Sequence, residues 1–183
     1  MLLAQERPGV YWDYTASGVL WGSQNLKQAG IAALCDQGEQ NRVYTIQRIS
    51  DGKAIFGEDS EMAAMIEAAL VNGASGVKAV KAGTEDHFDY EAAFAALAKE
   101  ENIGAVCCDS TQGAVLKLLK ASVAGASENG RERTAAGCFS GENPAAFANE
   151  LNCERMMLLC QGPEDSPAKG GLLAAALAGR LAA

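Results

Sequence analysis

From Ser60 onward the chain repeats one rhythm: apolar residues at helical spacing, a turn, then a short run apolar on nearly every position. Met62, Met65, Ile66, Ala69 and Leu70 form the first helical stripe, stopped by Asn72-Gly73. Val77 to Lys81 alternates like a strand, and Tyr90, Ala93, Phe94 and Leu97 form the next stripe, with Asp89 as its N-cap. Ile103–Cys108 is apolar but too short for a helix. Asp109-Ser110-Thr111 offers caps for a helix carrying Val115, Leu118, Leu119 and Val123 on one face. Thr134–Phe139 reads as a strand, Asn143-Pro144 starts a helix, Arg155–Cys160 is another apolar strand, and Lys169–Leu181 is an Ala-rich helix. Strands apolar on both faces and alternating with helices predict an α/β fold, a mostly parallel sheet with helices on both faces and right-handed crossovers.

The N-terminal part reads differently. Pro8-Gly9 is a breaker, and Val10 to Thr15 is rich in β-branched and aromatic residues, as strands are. Gly18 and Gly22 then loosen the chain before the apolar run Gly30 to Cys35. The expected division is an extended N-terminal arm or edge strand over residues 1–22 and an α/β core domain over 23–183. Within the core, Arg42 to Ile46 reads as a strand and Ser50 to Phe56 as a short helix ended by Gly57.

At 183 residues the chain is long enough to bury about 70% of its unfolded surface in one core. Its formal net charge of -8 argues against a nucleic-acid partner, because an acidic surface repels phosphate backbones. No stretch approaches the ~20 apolar residues of a membrane span, and Met1-Leu2-Leu3-Ala4 has neither the basic nor the apolar region of a signal peptide. The 6 Cys include no C-x-x-C pair, and most lie in apolar runs. They read as reduced, mostly buried thiols in a chain made in a reducing cytoplasm.

Catalytic groups are sparse. His87 is the only histidine and sits beside Asp86, where an exposed loop is expected. Asp109 follows a strand, as phosphoacceptor and metal-binding aspartates do, yet it also stands where a helix cap is wanted. Cys107 and Cys108 are adjacent on a strand and so point to opposite faces, one against each helical layer. Asn72-Gly73-Ala74-Ser75-Gly76 precedes a strand, whereas a phosphate cradle needs strand, then glycines, then helix N-terminus. No cofactor and no metal site is expected. The competing enzymatic reading is a small α/β enzyme, or a nucleotide or phosphoacceptor-type domain, using Asp109, Cys107 or His87.

Several phrases occur in an order that resembles the contractile phage tail sheath family. Arg7-Pro8-Gly9-Val10-Tyr11 resembles the family's opening R-P-G-V-Y, which leads into an extended arm. Phe56-Gly57, followed by a helix to Val71-Asn72-Gly73, is similar to its "FG … F-x-N-G" passage, with Val71 in place of an aromatic. Val77 to Val80, Asp89 to Ala93 and the closing Ala174 to Ala182 match its next strand, the helix after it and its "AAxxAGxxA" helix.

The resemblance implies a non-enzymatic structural protein: a sheath or sheath-related subunit that adds strands to copies of itself in rings around a tail tube. The assembly arm would be Arg7, Pro8, Gly9, Val10, Tyr11, Trp12 and Tyr14. Other partners would be tail or baseplate proteins, with no nucleic acid and no membrane. The protein would occupy the bacterial cytoplasm during assembly, then the virion tail or tail-like particle. Family members continue past the Ala-rich helix into a carboxy-terminal domain and second arm, whereas this sequence stops at Ala183. A truncated chain or a short end or collar component is the corresponding expectation.

Overall fold

The computed structural model describes residues 27–160 and 167–183. In chain order the elements are β1 (Gln28–Leu34), β2 (Val43–Ile46), α1 (Ile49–Phe56), α2 (Glu61–Val71), β3 (Val77–Gly83), α3 (Tyr90–Ala98), β4 (Ile103–Cys108), α4 (Gly113–Glu128), β5 (Thr134–Phe139), α5 (Pro144–Leu151), β6 (Met156–Cys160) and α6 (Pro167–Ala182). The strands form one sheet in the order β2-β3-β1-β4-β5-β6. All neighbours run parallel except β2, which lies antiparallel on β3 and pairs Val43 with Val80. The expected mostly parallel α/β architecture is therefore present. The boundary placed at residue 22, and the arm before it, lie outside the described residues.

Strand alternation divides the core in two. On one face Ile31, Val77, Ala79, Cys107 and Cys138 meet Phe56 of α1, Met62 and Met65 of α2, and Ala174 and Ala178 of α6. On the other, Val80, Val106 and Cys108 meet Tyr90, Phe94 and Leu97 of α3, Leu116 and Leu119 of α4, and Phe147 of α5. Both faces of the sheet are dry along β1, β3, β4 and β5, which is why those strands read as nearly continuous apolar runs. Cys107 and Cys108 enter opposite layers, as their adjacency on a strand requires.

Helix starts follow local chemistry. The side chains of Ser60, Asp89 and Asn143 accept the amide hydrogens of Ala63, Ala92 and Ala146, and Pro144 occupies the first turn of α5. The alanines of α6 let it approach α2 closely. A Cβ built on Gly179 would lie 2.3 Å from the carbonyl oxygen of Ala69, so glycine there is a packing requirement.

Two readings of α4 need correction. Asp109 does not cap it: the N-cap position is Gln112, which makes no side-chain cap bond. The buried face carries Val115, Leu116, Leu119 and Val123, while Leu118 is 37% exposed. Both Leu116 and Leu118 fit an apolar stripe near Val115 and Leu119. The layer that α4 shares with α3 selects Leu116.

Candidate functional site

Chain direction reverses across the sheet between β1 and β4. After β1 the chain builds β2 and β3 on one side; after β4 it builds β5 and β6 on the other. In open α/β sheets the crevice beyond the carboxyl ends of such strands is where ligands bind. Asp109 follows β4 at that point and is 8% exposed. Its Oδ2 accepts the backbone N–H of Leu34 at 2.8 Å, and its Oδ1 accepts the hydroxyl of Tyr90 at 2.7 Å. One carboxylate thus ties the end of β1 and the start of α3 to the end of β4.

Burial pushes the Asp109 carboxyl above the ordinary aspartate range, opposed by the hydrogen bonds from Leu34 N–H and Tyr90. Glu61, half-buried at the start of α2, is pushed up by its own burial and then by the charge of Asp109. The Tyr90 phenol is pushed up by burial and by the neighbouring carboxylate, so it stays protonated and donates. Two cavities open here. One of about 250 Å³ is lined by Leu34, Glu61, Phe88, Tyr90, Asp109 and Val115, among others. The second, about 710 Å³, takes in Asp36, Glu58, Asp59, Glu61, Glu85 and Asp86, and among the described residues no Lys or Arg lines it. That field repels phosphate-bearing ligands.

The residues of the enzymatic reading are not brought together. Cys107 and Cys108 are fully buried, and burial pushes both thiols up, which keeps them out of the nucleophilic thiolate form. His87 is exposed in the β3–α3 loop, where its carbonyl accepts the amide hydrogen of Thr84, and it lines neither cavity. Among the described residues no group of three or more His, Cys, Asp or Glu could hold a metal ion. Tyr90 was legible only as a core residue of an amphipathic helix, since nothing local marks it as the partner of Asp109. Arg133 was missed too. Its guanidinium is buried and donates to the carbonyls of Leu97 and Glu100, closing the end of α3.

The sheet edges offer a different kind of site. Among the described residues β6 is bonded on one side only, to β5. Its sequence, Met156 to Cys160, holds no charge and no proline; Met157 is 49% exposed and Cys160 is exposed. α6 packs against the same strand and leaves Leu173 half exposed. Cys35, Cys107, Cys108 and Cys138 are buried and Cys153 is half-buried, in line with mostly buried thiols. The residues of the assembly arm, Arg7 to Tyr14, lie outside the described residues. Among those described, no helix is long and apolar enough to cross a membrane.

No family model and no curated protein matches the sequence. Among solved structures the fold is similar to the anti-feeding prophage helical sheath, determined in its contracted state, with a TM-score of 0.53 and 10% sequence identity. The likeness covers 86% of this chain and 46% of that one, so this chain spans less than half the length of its structural neighbour. At that identity the likeness is one of fold: a sheath-like α/β domain.

Proposed function

We propose that this chain is a structural protein of a contractile phage tail or phage-tail-like injection machine, and not an enzyme. It is a sheath or sheath-related subunit that forms rings with copies of itself around a tail tube and contacts other tail or baseplate proteins. It is made in the bacterial cytoplasm and resides in the tail or tail-like particle.

The observation that carries this reading is the β6 edge, bonded on one side only among the described residues, on a sheath-like fold. Monomeric proteins guard such edges with charges, prolines, bulges or very short strands. Met156–Cys160 has neither charge nor proline and leaves Met157 and Cys160 outward. An extended segment from a neighbour can add to it by backbone hydrogen bonds. The aromatic strand Val10 to Thr15, introduced by Arg7-Pro8-Gly9, supplies the added segment. Each such bond is worth about 0.5–1.5 kcal/mol net. A single strand therefore holds weakly, and ring closure makes the assembly firm.

Deletion of Met1 to Gly18 tests this. The α/β core should stay folded and melt as before, because its apolar stripes lie after Gly30, while rings and tubes disappear from electron micrographs. A deleted chain that melts early yet still assembles would exclude the arm.

A further inference from the structure

The two cores account for the inner faces of α3 and α4, but their outer valley is open. A groove of about 430 Å³ runs between them, lined by Phe94, Ala95, Ala98, Leu118, Ala121 and Gly125, with Arg131 at its lower end. A Cβ on Gly125 would meet nothing within 4 Å, and Leu118 is the outward leucine of α4. Within the described chain nothing fills this space.

The path of the chain points to an occupant. The first described residue, Lys27, lies at the foot of β1, with its Nζ 3.4 Å from the carbonyl of Glu132. Arg131, which donates to the carbonyl of Ala98 at the end of α3, lines both the groove and the cavity beside Lys27. The segment before Lys27 therefore starts next to the lower mouth of the groove. Six residues upstream stands Trp21, preceded by Val19 and Leu20 and flanked by Gly18 and Gly22. Six extended residues reach roughly 20 Å, and the 16 residues of α4 extend about 24 Å. Trp21 can thus reach the lower half of the groove but not the far side of the molecule.

We propose that Leu20 and Trp21 seat in the α3–α4 groove of their own chain. The indole lies over Ala121 and Gly125, with the Arg131 guanidinium against its ring, a favourable cation–aromatic pairing. Small side chains on both helices leave room for a ring, and a buried indole removes more apolar surface from water than any other side chain in the segment. Seated this way, residues 19–21 root the N-terminal segment on its own domain and leave Arg7 to Thr15 free to reach elsewhere. The inference does not rest on strand addition and is tested on single chains.

The chain has only two tryptophans, Trp12 and Trp21, both outside the described residues, so Trp12→Phe leaves one fluorescent reporter at the proposed site. In that background, dilute full-length protein should show a blue-shifted emission that acrylamide quenches poorly. Ala121→Glu, at an exposed position suited to a strong helix former, should shift the emission to the red and raise quenching to that of a free indole. Far-UV circular dichroism should stay unchanged. Should Ala121→Glu unfold, Ala95→Glu on the opposite wall replaces it. Equal quenching with and without the groove substitution would overturn the proposal. Shielding that vanishes on dilution would assign the groove to a second copy and overturn it equally.

Discussion

The two edges of the sheet present the same backbone groups and cover them differently. β2 has four residues, none of them charged, and runs antiparallel to its neighbour. Arg42 precedes it, pairs with Glu39 and lies over the Tyr44 ring, and Tyr44 packs edge-on against buried Phe56. Arg48 follows within two residues. β6 is also entered by a paired arginine, Arg155 with Glu132, but it is parallel, one residue longer and outwardly apolar at Met157. Such a difference separates an edge that ends a sheet from one that can continue into a neighbour. The same contrast distinguishes β6 from the crevice at Asp109. There Asp109 accepts from Leu34 and Tyr90, and the surrounding acids repel anions.

The largest expected effect tests the edge contrast directly. Met157→Lys places a charge on β6 at a half-exposed position, so monomer stability should change by no more than about 0.5 kcal/mol, while ring and tube formation is lost. Thr45→Lys, the matching change on β2, should leave assembly intact. Sizing and electron microscopy of the two variants check this. Equal loss in both, or in neither, would erase the distinction between the edges.

A smaller effect separates edge chemistry from general destabilisation. Gly179→Ala forces a methyl onto the Ala69 carbonyl where α6 crosses α2. Overpacking of this kind costs about 1–3 kcal/mol, or roughly 2–4 °C in Tm per kcal/mol for a domain of this size. Calorimetry should record that loss, while the folded fraction still assembles at low temperature because neither edge is altered. Assembly lost in step with Tm would mean that the β6 edge acts only through overall stability.

The smallest effect concerns pH. The carboxyls of Asp109 and Glu61 are both raised in the folded protein. Their contribution to stability is complete below the ordinary carboxylate values, about 3.9 for Asp and 4.3 for Glu. It is lost as pH rises through the raised values. Melting temperature should therefore carry a component that falls from about pH 4 toward neutrality, and Asp109→Asn with Glu61→Gln should flatten it. β6 has no carboxylate, so the same variants should leave the pH dependence of assembly unchanged. A wild-type stability that rises over this range and flattens in the double variant would reverse the assignment.

Much of the molecule was legible because its signals are local. The stripes at Met62 to Ala69 and Tyr90 to Leu97, the caps at Asp89 and Asn143, and the apolar runs of β4, β5 and β6 each report on a few neighbouring residues. Adjacent cysteines on a strand must part to opposite faces whatever the topology. The position of β1 at the centre of the sheet was not legible. Gly30 to Cys35 reads as one more apolar run, and nothing in it specifies that β3 and β4 flank it. Asp109 shows the same limit: in the sequence it stands near a helix start, where capping suffices to explain it. Leu34 and Tyr90, its partners 75 and 19 residues away, claim the carboxylate instead.

By itself the sequence determined the alternation of strand and helix, the two-sided burial of the sheet, the acidic surface and the absence of charge from Met156 to Cys160. These follow from side-chain period, capping and composition, which act over a few residues. Only the tertiary structure decided strand order, the internal role of Asp109, the choice of Leu116 over Leu118 for the core, and which strands stand at the edges of the sheet. Each of those depends on contacts between residues far apart in the chain, where hydrogen-bond satisfaction and close packing select one arrangement from several that the local pattern permits.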